Sequence, residues 1–156
     1  MVVKTDFAAA TTLNLNRWSL SEGCWLILFS NHNAATLGAA AAALRAARNW
    51  TVQVQSGRGR PQEGNTIVVT EGTRSVSVGL NEGPLVSQES AEIAVQHARG
   101  RPDQSSIAKA SRRFEIRFDL DQDMGNLNTA LFVQHALVRL LGGDCATFMA
   151  NVGTFI

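Results

Sequence analysis

A chain of 156 residues is long enough to bury a sizeable core as one domain, and its composition, 45% hydrophobic and 17% charged, is that of ordinary globular proteins. Fourteen basic and thirteen acidic side chains leave a formal net charge of +1, which argues against nucleic acid or an anionic membrane as the main partner. The two cysteines lack the paired spacing of a disulfide framework or zinc site, and no segment approaches the ~18 apolar residues of a membrane span.

The first half of the chain predicts strands and one helix after an irregular start. Residues 1–17 have weak periodicity and predict an irregular N-terminal arm, whereas residues 18–156 predict a single domain. The apolar run at residues 25–29 predicts a strand buried on both sides or one in the middle of the sheet, and the alanine-rich stretch at 34–48 predicts a helix. Alternating apolar and polar residues then predict three more strands, the last two forming a hairpin, at residues 51–55, 66–70 and 74–78.

The second half predicts helices around one clearly patterned strand. Pro84 is expected to break the chain before a helix capped by Ser87, and a shorter helix follows. From Arg113 to Leu120, charged residues alternate with Phe, Ile and Leu, which predicts a strand with one buried and one solvated face. Apolar residues at helical spacing predict a long helix before a final strand. The predicted ranges are 87–100 and 105–111 for the first two helices, 127–141 for the long helix and 145–152 for the last strand.

This order of elements predicts an α+β fold, a two-layer sandwich in which a mixed sheet of about six strands carries helices on one face. Several strands have polar residues on their outward-facing side, whereas a sheet covered on both faces needs apolar residues on both. The segments 25–55 and 114–152 both run strand, helix, strand. The fold is therefore also expected to contain a β-α-β pseudo-repeat.

Arg58-Gly59-Arg60-Pro61 resembles the short core of an AT-hook, in which two arginines around a glycine enter the minor groove of A·T-rich DNA. The resemblance covers these four residues alone, and the flanking residues lack the additional basic side chains that contact phosphates. A solvated loop made by glycine and proline is the structural interpretation of the same residues. DNA binding through Arg58 and Arg60 is thus the weakest of the functional hypotheses.

Two other patterns bear on metal binding and catalysis. Asp119, Asp121 and Asp123 imitate the opening of a calcium loop, but the following glycine is out of place and the closing glutamate is missing, so neither a metal nor another cofactor is predicted. His32 follows a predicted strand and could act as a general base if Asp121 or Asp123 came near it. A small enzyme with this strand-end site is the alternative functional hypothesis.

The leading hypothesis is a non-catalytic protein that binds another protein, most concretely an immunity-type inhibitor that neutralises a toxin by direct contact. No catalytic motif is present, and the predicted charged strand face alternates in sign. An exposed Phe on the polar stripe of the long helix would add an apolar anchor. The residues expected to bind the partner are Arg113, Glu115, Arg117, Asp119, Phe132, His135 and Arg139.

The first residues lack the features of a secretory signal, which predicts a cytoplasmic protein. Twelve Arg against two Lys, together with many Ala, favour a high-GC bacterial source. Membrane binding is not expected, and a homo-oligomer is compatible with the sequence.

Overall fold

Six strands and four helices make up the part of the chain that the computed structural model describes, which is residues 22–30, 35–56, 65–119 and 124–149. The strands are β1 (Glu22–Phe29), β2 (Thr51–Gln55), β3 (Thr66–Glu71), β4 (Arg74–Glu82), β5 (Arg112–Asp119) and β6 (Ala146–Met149). The helices are α1 (Leu37–Ala47), α2 (Pro84–Gln96), α3 (Gln104–Ala108) and α4 (Gly125–Leu140). None of these helices is long and apolar enough to cross a membrane.

The local signals explain most of these boundaries. The side chain of Thr36 accepts a hydrogen bond from the amide of Ala39 at 3.0 Å and caps α1. Pro84 is the first residue of α2 rather than a break before it, because proline lacks the N–H that a first helical turn leaves unbonded. Gly142 and Gly143 follow α4 with positive φ angles of 65° and 80°, the backbone conformation that ends many helices.

The strands form one sheet in the order β2-β3-β4-β5-β1-β6, and every neighbouring pair is antiparallel. The α+β class and the six-stranded sheet are therefore confirmed, although the sheet is antiparallel throughout rather than mixed. β5, the strand with the clearest alternation, lies inside the sheet between β4 and β1.

Each predicted β-α-β unit is split by other strands, which is why no parallel pair forms. β5 and β6 both run antiparallel to β1, so they point the same way with β1 between them. The strands of the first unit, β1 and β2, are separated by β5, β4 and β3. The two units share an order of elements but not a pattern of strand pairing, and the pseudo-repeat does not extend to the sheet.

The larger core lies between one face of the sheet and helices α1 and α4. Phe114, Ile116 and Phe118 of β5 point to this face, and the ring of Phe118 packs against Trp25 with centroids 5.7 Å apart. Burial of these side chains removes apolar surface from water and is the main stabilising term for the domain. The helices contribute Ala40, Ala41, Leu44, Ala130, Val133, Leu137 and the following Leu141.

Helices α2 and α3 pack against part of the opposite face, so the prediction of helices on one face alone is too simple. Leu26 and Leu28 of β1 point to this face and form a second core with Ile93 of α2 and Ile107 near the end of α3. The unbroken apolar run in β1 is typical of a strand covered on both sides. The polar residues on the second face of β2, β3 and β4 correctly predict exposure to solvent, but only for the half of the sheet that these three strands form.

That half of the second face has no helix over it among the described residues. Helix α2 contacts β4 and β5, and α3 contacts β1, whereas α1 and α4 lie on the other side. On the uncovered half, Thr51, Gln53 and Gln55 of β2 are exposed, and Thr66, Val68 and Thr70 of β3 are partly exposed. The sheet thus presents a polar, largely uncharged surface beside α2.

Candidate functional site

Four alternating charges form a network beneath α2, which we call the buried ion network. Arg113 of β5 lies between Glu89 of α2 and Glu115 of β5, and all three side chains are buried. Arg113 contacts Glu89 through Nη1 and donates from Nε to Oε1 of Glu115 at 2.9 Å. Arg117 donates from Nη2 to Oε2 of Glu115 at 2.8 Å. Each oxygen of Glu115 therefore accepts from a different guanidinium group.

The prediction that Arg113 and Glu115 are exposed to solvent is wrong. Their side chains are each 2% exposed because α2 lies over them, so they cannot contact a partner in the folded chain. The alternation in β5 identifies its two faces but not which of them is solvated. Both charges can be buried because each guanidinium faces a carboxylate, and burying an isolated charge would cost far more.

Glu89 was not identified from the sequence, although a signal for it exists. It lies three residues after Val86 and four before Ile93, and both are buried on the same side of α2. Glutamate is rarely fully buried unless it is paired. A glutamate inside the apolar stripe of a helix therefore predicts a buried cation on the element that the helix covers.

Arg117, the fourth member of the buried ion network, lies at the border of the uncovered half of the sheet. Its side chain is 32% exposed, whereas Glu115, which holds it, is 2% exposed. Arg117 pairs with Ser77 of β4, Ser77 pairs with Val68 of β3, and Val68 pairs with Gln53 of β2. None of these four residues is buried. We call Gln53, Val68, Ser77 and Arg117 the Arg117 row.

Asp119, the other predicted residue on this face, is the exposed last residue of β5. Its backbone carbonyl accepts a hydrogen bond from Nδ2 of Asn126 at 2.9 Å, which ties the end of β5 to the start of α4. Asp119 is two residues from Arg117 and on the same side of the strand. The uncovered face therefore keeps one cation and one anion of the four charges that the sequence predicts there.

Phe132, His135 and Arg139 lie along an exposed stripe of α4. Phe132 is 46% exposed, and the guanidinium of Arg48, just after α1, lies 4.1 Å from the centroid of its ring. Arg48 also lies 5.8 Å from the ring centroid of Trp50. We call Arg48, Phe132, His135 and Arg139 the α1/α4 surface.

The predicted partner-binding residues therefore divide between two opposite faces of the sheet. Arg117 and Asp119 lie on the face beside α2, while Phe132, His135 and Arg139 lie on the outer side of a helix that packs against the other face. One flat partner surface cannot contact both groups. The two surfaces have to be considered as separate candidate sites.

A cavity of about 450 Å³ opens between the end of β1, α3 and the start of β6. Ser30, Asp103, Lys109 and Cys145 are among its lining residues. The hydroxyl of Ser30 donates to the backbone carbonyl of Lys109 at 3.1 Å, and Asp103 accepts two hydrogen bonds from Arg101, which lower the pKa of its carboxyl group. These contacts leave neither Ser30 nor Asp103 arranged as a nucleophile and its base.

Cys145 is the lining residue with the most reactive chemistry, but its surroundings suppress the thiolate. Partial burial raises the pKa of the Cys145 thiol, and the negative charge of Asp144 raises that pKa further. A thiol rather than a thiolate therefore predominates at neutral pH, which disfavours nucleophilic catalysis.

We expect iodoacetamide to alkylate Cys145 more slowly at pH 8 than it alkylates a cysteine in an unstructured peptide, because thiolate is the reacting form. Asp144→Asn should accelerate the reaction by removing the negative charge, and mass spectrometry of digested protein would locate the adduct. Cys24, which is buried, serves as the internal control. Alkylation of Cys145 faster than the peptide would contradict this interpretation of the cavity.

The residues of the alternative hypotheses lie outside the described ranges. These are His32, Asp121 and Asp123 of the enzyme hypothesis and the loop Arg58-Gly59-Arg60-Pro61 of the DNA hypothesis. β1 and β5 pair antiparallel with Phe29 opposite Arg112, so the strand ends that precede His32 and Asp121 lie at opposite ends of this pair. Within the described ranges, no group of three His, Cys, Asp or Glu side chains is placed to hold a metal ion.

Comparison with known proteins does not assign the chain to a family. A scan against protein-family models gives no match, and searches of curated proteins and of solved structures give no significant match either.

Proposed function

We propose that the chain is a non-catalytic protein-binding module that contacts its partner through the uncovered sheet face around the Arg117 row. The observation that carries the proposal is the state of Arg117, whose guanidinium reaches solvent while buried Glu115 fixes it from below. Arginine is enriched among the residues that dominate binding energy at protein interfaces. A side chain that is already held in place also loses less conformational entropy when a partner binds.

The rest of the face fits a polar protein interface. The neighbours of Arg117 supply amide and hydroxyl groups that both donate and accept hydrogen bonds, and Val68 supplies a small apolar contact. Exposed aromatic rings, which single-stranded RNA would need for stacking, are absent from the described residues of this half-face. The complementary partner is a protein surface that places a carboxylate against Arg117.

The most concrete form of this proposal is an immunity-type inhibitor in a bacterial cytoplasm. Such a protein needs a preformed face that covers an essential surface of its target and no chemistry of its own. A sheet face with one arginine held by a buried carboxylate fits that requirement. The target would then be a toxin with an acidic active site or acidic essential surface.

Replacing Arg117 by glutamine is expected to weaken the affinity for the partner about tenfold or more, because the partner's carboxylate loses its guanidinium. The tagged chain would be used to isolate a stoichiometric partner from native extract, and the Kd would be measured by calorimetry with the purified pair. Urea unfolding of the Arg117→Gln protein would show whether any loss reflects folding instead.

A matched pair of substitutions on β2 tests the face without altering the buried ion network. Gln53→Trp places a bulky side chain on the uncovered face and should block binding, whereas Val54→Trp places it on the opposite face of the same strand and should not. Equal affinity of both variants, or no stoichiometric partner at all, would contradict the proposed interface.

The inhibitor form has its own test. When the gene of the identified partner is expressed alone, growth of a bacterial host should stop. Co-expression of this chain should restore growth. Arg117→Gln should restore it poorly and Val54→Trp fully. If the partner is harmless when expressed alone, the protein-binding function is still supported but the immunity function is contradicted.

A further inference from the structure

We propose that the α1/α4 surface is a second binding site, for an acidic segment of a protein that also contributes an apolar side chain. This site goes beyond the proposed function, because it lies on the opposite side of the sheet from the Arg117 row. Its members are Arg48, Phe132, His135 and Arg139.

The first argument is the distribution of charge between the helices. Residues 37–48, which are α1 and its C-cap, contain two arginines and no acidic residue, and α4 contains one arginine and no acidic residue. Helix α2 on the other side of the sheet contains two glutamates and no Lys or Arg. A net charge near zero therefore conceals a helical layer whose formal charges are all positive, which is complementary to an acidic partner.

The second argument is the fixed position of Arg48. Its guanidinium stacks on Phe132, and its Nε lies 3.7 Å from Oε2 of Glu71. The indole Nε1 of Trp50 donates to the same Glu71 oxygen at 2.7 Å. Arg48 nevertheless stays 42% exposed, so it is both held in place and open to a ligand. Stacking and orientation of this kind favour arginine as a recognition residue.

The third argument is the exposed ring of Phe132. The inner side of α4 is buried, but Phe132 remains 46% exposed. Arg139 lies seven residues further along α4, which is about 10 Å along the helix axis. An irregular acidic segment whose carboxylates lie about 10 Å apart can therefore contact both arginines and place an intervening apolar side chain on Phe132.

Phosphate ligands fit this surface less well. Binding to a nucleic-acid backbone depends on many Lys or Arg contacts to phosphates, and this surface offers two arginines, Arg48 and Arg139. The exposed ring adds an apolar contact that a phosphate backbone does not provide.

The test is an NMR titration of the ¹⁵N-labelled chain with a peptide of four Asp-Leu repeats, up to about 5 mM, since a Kd of about 1 mM would then still give a clear response. The indole N–H of Trp50 is the reporter, because it donates to the Glu71 carboxylate that Arg48 contacts. We expect this signal and the amides of α4 near Phe132 and Arg139 to shift, and the same peptide with Asn in place of Asp to leave them unchanged.

Arg48→Gln combined with Arg139→Gln should weaken the response at least tenfold, whereas Arg117→Gln should leave it unchanged. Arg117→Gln separates this site from the proposed function, because it alters the proposed partner interface but no member of the α1/α4 surface. Phe132→Ser should weaken the response without removing any charge. No shift with the Asp-Leu peptide would overturn the proposal, as would a response obtained only with a short DNA duplex or with phosphatidylserine vesicles.

Discussion

Replacement of Glu89 by methionine is expected to lower the free energy of unfolding by about 3–5 kcal/mol, the usual effect of removing one partner from a buried ion pair. Glu89 is 0% exposed, and its loss leaves the positive charge of Arg113 beneath α2 paired with Glu115, which Arg117 also engages. For a chain of this length the thermal midpoint should fall by roughly 6–20 °C. Urea unfolding followed by circular dichroism would measure the change.

The control is the exposed ion pair between Arg112 and Glu82, whose Nε and Oε2 atoms are 3.0 Å apart. The Glu82 side chain is 67% exposed, so Glu82→Met should cost about 0–1 kcal/mol. A similar loss of unfolding free energy for Glu82→Met and Glu89→Met would mean that burial does not increase the cost of breaking an ion pair in this chain.

The double variant Glu89→Met with Arg113→Met gives a sharper test of the charge argument. It leaves one carboxylate, Glu115, with one guanidinium, Arg117, and therefore restores the balance of charge. Its loss of stability should be smaller than the sum of the two single losses, because each single change leaves an unbalanced charge. Additive losses would show that the two side chains act through packing alone.

The buried ion network also connects stability with the proposed site. Glu115 contacts both Arg113 and Arg117, so the same carboxylate that neutralises the buried charge holds the exposed guanidinium. Buried ion pairs seldom add net stability over apolar side chains of similar volume. Under the proposed function, the role of this network is to orient Arg117.

Periodicity alone predicts most of the elements. Alternation identifies β5 and the β3–β4 hairpin, and helical spacing identifies α1 and α4 within a few residues of their ends. These signals depend on neighbours in the sequence, and they survive because each element buries the side that its own pattern marks as apolar. Which side chains of an element share its apolar face is thus determined by the local sequence.

Strand order and the covering of the second face depend on residues far apart in the sequence, which is why they could not be predicted. The insertion of β1 between β5 and β6 makes the sheet antiparallel, and nothing local to these strands encodes it. The burial of Arg113 depends on Glu89, 24 residues earlier in the chain. A pattern within β5 cannot show that a matching charge comes from α2.

For the predicted site, too, the sequence indicates local exposure but not contacts between distant residues. The exposure of Phe132 follows from the helical count alone and agrees with the structure. Its contact with Arg48 joins two helices that are distant in sequence, and that contact turns an isolated exposed ring into a structured surface. The exposed positions of Phe132, His135 and Arg139 were accessible to sequence reasoning, whereas Arg48 was not identified, and the grouping of residues into two surfaces required the fold.

Gly23→Val is expected to lower the free energy of unfolding by about 3 kcal/mol, at the upper end of what overpacking of a core usually costs. Gly23 pairs with Phe118 across β1 and β5, and a Cβ atom at Gly23 would lie 2.5 Å from Cε2 of the Phe118 ring. That ring is buried and packs against Trp25, so it has little room to move. Glycine is thus needed here because an aromatic ring covers its backbone.

Gly79→Val is the matched control, because Gly79 also lies within a strand of the same sheet but a Cβ there would meet nothing within 4 Å. It should leave stability unchanged or raise it slightly, since valine favours strands and glycine does not. Phe118→Ala in the Gly23→Val protein should cost much less than Phe118→Ala alone, because it relieves the clash. Equal losses for the two glycine variants would show that strand propensity, and not the Phe118 ring, determines the need for glycine at position 23.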